Sequence, residues 1–143
     1  MIFGHIKMKF KYKTLANEVI DLEISALQKL KKSINHNFEK AIKCITNCKS
    51  KIILCGVGKS GLIASKIAAT LSSVGCPSFS LSANDCLHGD LGSISRNDIL
   101  ILISNSGNSE ELFPIIKYAN RNKIKLIGIM SKKNSILYQG SDI

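Results

Sequence analysis

The sequence contains no tryptophan and two prolines, and aromatic residues make up only 6% of it, so any core it builds is aliphatic. Long apolar runs are missing too: none approaches the roughly 18–20 residues needed to cross a bilayer, which argues against a membrane-spanning helix. The opening residues 1–13 lack a continuous apolar segment and a small-residue cleavage site, so they do not read as a signal peptide. Acids are scarce, with ten Asp and Glu against twenty Lys and Arg and a net charge of +10. The excess is concentrated at the front, where residues 1–51 hold eleven lysines against four acids. Such a segment suits nucleic acid, an anionic surface or a solvated helical extension, the last of which is the expectation here. Basic stripes interleaved with aromatics, as single-strand binders use, are absent. Neither nucleic acid nor membrane is therefore expected as a partner. The five cysteines are odd in number and show no CxxC spacing, which predicts reduced thiols in the cytoplasm. Cys44 and Cys48 lie four apart, but a metal clip there needs two further ligands that the sequence does not place. Half-buried thiols are expected instead, and neither a metal nor a cofactor.

What is present is a change of pattern along the chain. Its 143 residues suffice for one domain with a real core. Residues 1–13 read as a basic extension and 14–143 as the domain. Thr14 is placed to cap a helix running to about Ile34, with Leu15, Val19, Leu22, Ala26, Leu30 and Ile34 at three- and four-residue spacing. Asn35-His36-Asn37 breaks that pattern. A shorter helix follows, with Phe38, Ala41, Ile42 and Ile45 on one face. From Lys51 onward strands and helices alternate. Strands are expected at 51–55, 78–82, 98–103 and 125–130, and helices at 60–74, 109–122 and from 135. A short helical or looped piece is expected within 84–91. The helix over 60–74 should turn Leu62, Ile63, Ile67, Ala68, Leu71 and Val74 to the core and stop at Gly75. The strand over 98–103 is almost wholly aliphatic, as a strand covered on both faces must be. The alternation predicts an α/β fold, a three-layer αβα sandwich around a parallel sheet, preceded by two N-terminal helices. Residues 140–143 read as the lead-in to a further strand.

Three stretches carry candidate chemistry. In Ile52–Gly61, a buried strand runs into Gly56, Gly58 and Gly61, with Ser60 placed to cap the next helix and Lys59 adding a positive charge. A strand, a tight turn and a helix N-terminus together favour an anion. The glycines match G-x-G-x-x-G, but the acid that a dinucleotide site wants about 20 residues on is missing, since none occurs before Asp85. A P-loop would need glycine where Ile53 stands. Ser104-Asn105-Ser106-Gly107-Asn108-Ser109-Glu110-Glu111 follows the third strand and opens a helix, a donor-rich cradle suited to phosphate or sugar hydroxyls. Ser and Asn also favour turns for structural reasons alone. In His88-Gly89-Asp90-Leu91-Gly92, His88 could move protons near neutral pH, whereas Asp90 reads as a loop-fixing residue.

The segments G-V-G-K-S-G-L-I-A-S-K-I-A-A-T-L, H-G-D-L-G and I-S-N-S-G-N-S-E-E-L, in this order, resemble the sugar isomerase (SIS) domain. More narrowly they resemble D-arabinose-5-phosphate isomerases of the KpsF/GutQ type, over about Leu15 to Ile143. The resemblance implies a five-stranded parallel sheet of flavodoxin- or Rossmann-like form that binds phosphosugars, and a homo-oligomer, tetrameric when complete. It implies interconversion of D-ribulose 5-phosphate and D-arabinose 5-phosphate, feeding the Kdo sugar of lipopolysaccharide. Carried over residue by residue, it makes Lys59, His88 and Glu111 the catalytic candidates. Gly58, Ser60, Ser104, Asn105, Ser106 and Ser109 become the phosphate-binding ones. The family pattern continues with the rest of the sheet, a further glutamate and histidine and usually two CBS modules, so the chain reads as truncated at its C-terminus. The alternative expectation is a sugar-phosphate-binding module without turnover.

Overall fold

The computed structural model describes residues 11–143, so most of the expected extension at 1–13 lies outside the described residues. The chain forms two units, Met1–His36 and Asn37–Ile143. The described part of the first is mainly helix α1, Tyr12–Ser33. It starts two residues before Thr14, and Lys11 stands at the cap position without a side-chain cap bond. No α1 residue is buried, and its apolar stripe through Leu15, Val19, Leu22 and Leu30 is exposed.

The second unit carries the sheet. Its helix α2, His36–Thr46, begins at the junction. Then come β1 (Ile52–Gly56), α3 (Lys59–Ser73), β2 (Ser78–Ser82), α4 (Ala83–Leu87), β3 (Ile99–Ile103), α5 (Phe113–Asn122), β4 (Lys125–Ile129) and α6 (Ile136–Gly140). All strand pairs are parallel, in the order β2-β1-β3-β4. That is four strands among the described residues, where the resemblance implies five. Asp142 and Ile143 lie along the outer edge of β4 without forming a strand: Asp142 N donates to Leu126 O at 2.9 Å and Gly128 N to Ile143 O at 2.9 Å.

Period-two alternation divides the strands between two cores. Ile53, Cys55, Leu100, Leu102 and Leu126 face Ile115, Ile116 and Ala119 of α5, with Cys86 of α4 and Leu137 of α6. Ile52, Leu54, Ile99, Ile101, Ile103 and Ile127 face Ala64 and Ala68 of α3, with Ala41, Cys44 and Ile45 of α2. Helices thus cover both faces, which is why β1 and β3 are buried throughout. Cys44 and Cys48 are half-buried free thiols.

The expected core face of α3 needs correction. Leu62, Ile63 and Val74 are exposed, whereas Ile67, Ala68 and Leu71 pack on the sheet as expected, joined by Ala64. At its first turn the helix lies hard against the end of β1. A Cβ on Gly56 would stand 2.7 Å from the Ser60 carbonyl carbon, and one on Gly61 2.8 Å from Gly56 O. The helix expected over 109–122 is also divided. A 3₁₀ turn, Glu110–Leu112, precedes α5. Pro114 has no N–H to donate back to Glu110, so the regular ladder starts later.

Candidate functional site

The carboxyl ends of the strands stand abreast: Gly56 pairs with Ser82 on one side and Ile103 on the other, and Ile103 pairs with Ile129. From β1 the chain crosses through α3 to β2, and from β3 through α5 to β4, in opposite directions and on opposite faces. The loops after β1 and β3 therefore part from each other. In open α/β sheets this switch point is where ligands bind.

The β1 loop is a type II′ turn. Gly58 has φ +56 and ψ −123, and Ser60 N donates to Val57 O at 3.1 Å to close it. That backbone suits glycine alone. The turn corrects the expected role of Ser60: α3 begins at Lys59 with Gly58 as its cap, so Ser60 already lies in the first helical turn. The N–H groups of Gly58 and Lys59 have no partner among the described residues and sit at the positive end of α3. Lys59 is exposed.

The loop after β3 is fixed by its own hydroxyls and amides. Buried Ser104 accepts from Gly107 N at 3.1 Å, and its hydroxyl lies 3.0 Å from that of Ser109. Ser106 Oγ accepts from Asn108 N at 3.2 Å. Two contacts that sequence reading missed hold the loop to the stretch after β4. Asn105 Oδ1 accepts from Ser131 Oγ at 2.6 Å, and Asn108 Oδ1 accepts from Ile136 N at 2.9 Å. Partners so far along the chain leave no local signal. Gly107 has φ +68, and a Cβ there would overlap buried Ser135. Three loop N–H groups, those of Asn105, Ser106 and Ser109, have no partner among the described residues. Ser104 therefore ties the loop, with Ser109 bonded to it, while the Ser106 O–H and these three N–H groups have no acceptor among the described residues.

His88 caps the C-terminal end of α4, its N–H donating to Asp85 O at 2.9 Å. Glu111 lies in the 3₁₀ turn before α5. Both are exposed. Among the described residues no hydrogen bond or ion pair joins Lys59, His88 and Glu111 to one another or to the serines. Beneath the β1 loop, Cys55 and Cys86 are both buried. The hydrogen bond with Cys86, and then burial, push the Cys55 thiol far up, so it stays protonated. Cys86, which accepts that bond, is correspondingly lowered. No group of three or more His, Cys, Asp or Glu suited to a metal exists among the described residues.

The described residues thus form a doubly wound parallel α/β sheet with two donor-rich loops at its switch point. Comparison with known proteins narrows the class. The family model for the SIS domain matches residues 45–143, and the chain belongs to that family. It is 47% identical over 131 residues to an uncharacterized protein of Rickettsia prowazekii, covering 92% of this chain and 41% of that protein. It is 44% identical over 131 residues to the arabinose 5-phosphate isomerase KdsD of Francisella tularensis, covering 90% of this chain and 40% of that enzyme. The chain thus spans about two fifths of the length of these curated relatives. Among solved structures it matches an E. coli protein in complex with arabinose 5-phosphate, with a TM-score of 0.86 and 34% identity. That match covers 92% of this chain and 70% of the other. The likeness to a phosphoheptose isomerase of Francisella tularensis, at 19% identity and a TM-score of 0.79, shows the fold alone. Together the relatives make the chain a sugar-phosphate isomerase homologue. No described helix is long and apolar enough to cross a membrane.

Proposed function

We propose that the chain forms the phosphosugar site of an aldose–ketose isomerase that interconverts D-ribulose 5-phosphate and D-arabinose 5-phosphate. The observation that carries this reading is the pair of donor-rich loops at the β1/β3 switch point. It is supported by relatives named for that reaction and by a structural neighbour in complex with arabinose 5-phosphate. The phosphate is held by Ser60, Ser106, Ser109 and the free N–H groups of the two loops, on a frame set by Gly58, Ser104 and Asn105. Isomerisation moves a proton between neighbouring carbons through an enediol, which requires a base, an acid and a positive partner for the developing oxyanion. Glu111 and His88 are the acid and base candidates, and Lys59 neutralises phosphate or oxyanion charge. The reading carries with it a cytoplasmic, homo-oligomeric enzyme upstream of Kdo and lipopolysaccharide.

One observation favours a second reading, a sugar-phosphate-binding module without turnover: Lys59, His88 and Glu111 are not linked among the described residues. An NMR time course with D-ribulose 5-phosphate separates the two. Growth of arabinose 5-phosphate signals supports the isomerase. Protein shifts at 56–61 and 104–111 without new sugar signals leave the binding module, and neither effect in a folded sample removes both.

A further inference from the structure

The interface between α3 and β2 is unlike the rest of the core. Ser65 and Ser72, two helical turns apart on α3, meet the serines of β2. The Ser65 and Ser80 hydroxyls are 2.9 Å apart, and Ser72 Oγ donates to Ser78 O at 2.6 Å while accepting from Ser78 N at 3.2 Å. Toward the carboxyl end of β2 this polar seam opens into a groove of about 440 Å³, lined by Gly58, Leu62, Ser65, Ser80, Ser82 and Asp85 among others. Its volume is that of a small-molecule site, in the range of about 300–1,000 Å³. The groove lies on the β2 side of the glycine turn, whereas the serine loop lies on the β3 side. Asp85 is exposed, and its carboxylate has no hydrogen bond or ion pair among the described residues. Ser65 and Ser80 satisfy one bond with each other and keep further capacity.

Charge decides what the groove can take. A free carboxylate repels a phosphate dianion but accepts hydroxyl donors, and the two serines both donate and accept. Strand spacing decides how far apart the two ends of a ligand sit. β2 and β3 flank β1, so their ends are about 10 Å apart, two spacings of about 4.8 Å each. An open-chain sugar phosphate spans a gap of that order.

We propose that Ser65, Ser80 and Asp85 form a sugar-end subsite, which holds the hydroxyls of an extended sugar phosphate lying across β1 with its phosphate at the Ser104–Ser109 loop. This rests on the phosphosugar reading above. It assigns Asp85 and Ser80 to recognition of the sugar chain, separate from the phosphate and from the proton-moving residues.

The test is an NMR titration of the full chain with D-arabinose 5-phosphate and, separately, with inorganic phosphate, for the wild type, Asp85→Ala and Ser80→Ala. The wild type should show shifts at residues 65, 80 and 85 with the sugar phosphate and not with inorganic phosphate. Each variant should bind the sugar phosphate about tenfold more weakly, as loss of a charged or well-placed hydrogen bond implies, and bind inorganic phosphate as before. Sugar-phosphate binding that shifts only 104–111, or that neither variant weakens, overturns the subsite and leaves the phosphosugar reading intact. Equal weakening of both ligands also overturns it, because the groove would then act on the phosphate or on the fold. A folded wild type that binds neither ligand overturns the phosphosugar reading, and the subsite with it.

Discussion

Removing the Asp98 carboxylate tests how the amino ends of the two central strands are tied together. Asp98 is buried just before β3. Its Oδ1 accepts from Ser50 Oγ at 2.6 Å and from Lys51 N at 3.5 Å, and its Oδ2 accepts from Ser95 N at 2.6 Å and pairs with Lys51 Nζ at 3.0 Å. Taking one partner from a buried ion pair costs about 3–5 kcal/mol. The Lys51 side chain is 33% exposed and can return to water, so the lower end of that range applies, about 3 kcal/mol for Asp98→Ala. For a chain of this size that is roughly 10 °C in Tm. Burial raises the Asp98 pKa, but the bonds from Ser50, Ser95 and Lys51 outweigh it, and the net shift is down from 3.8. A carboxylate with a depressed folded pKa contributes stability above its unfolded pKa, which is lost as pH falls through the folded value. Urea unfolding followed by far-ultraviolet circular dichroism at pH 7, 5 and 3 should therefore give the full difference between wild type and variant at pH 7 and 5, and a smaller one at pH 3. A difference below about 1 kcal/mol at pH 7, or one that does not shrink at pH 3, would refute the reasoning.

Gly107→Ala should destabilise the chain by about 2–4 kcal/mol, from the positive φ and the overlap with Ser135. Gly92→Ala, with open space around its Cβ, should be near neutral in the same urea experiment, and equal losses would count against the strained-loop account. Lys59→Ala should weaken sugar-phosphate binding roughly tenfold in a calorimetric titration while leaving Tm in place, since its side chain is exposed. Unchanged affinity would remove Lys59 from the site. With iodoacetamide at pH 8, mass spectrometry should find buried Cys55 and Cys86 unlabelled in the folded chain and all five cysteines labelled in urea. Labelling of Cys55 as fast as half-buried Cys76 would contradict its protonated, buried state.

The strands were legible because aliphatic runs such as Ile-Leu-Ile-Leu-Ile permit little but a strand covered on both faces. The core face of α3 was legible in part: Ile67, Ala68 and Leu71 pack on the sheet as expected, whereas Leu62, Ile63 and Val74 do not. Hydropathy ranks Leu62 and Val74 above Ala64, whereas it is Ala64, next to the close approach of Gly56 and Gly61, that the sheet encloses. At the site, Ser104–Ser109 stood out because hydroxyls and amides at a strand end signal a donor-rich turn. Their individual duties did not, because Ser104 turns inward and Asn105 and Asn108 reach partners 26 and 28 residues away. Asp98 passed as the first residue of a strand, since its partners belong to segments before β1 and before β3. The β2 groove had one faint signal, the alternation Ser-Phe-Ser-Leu-Ser, which puts three hydroxyls on the side facing α3.

The residues beside β4 also bear on what can pair with that strand. A sheet edge with a row of free N–H groups is a template on which a foreign strand can grow. Here Leu126 N is held by the Asp142 carboxylate at 2.8 Å and Gly128 N by Ile143 O, while Lys125 is paired with Asp142 at 3.2 Å. Two consecutive docking points on that edge are thus already occupied, one by a side chain that stands in for a backbone acceptor. Among the described residues, a strand that paired with β4 at Leu126 and Gly128 would first have to displace an ion pair and three hydrogen bonds, the third from Asp142 N to Leu126 O.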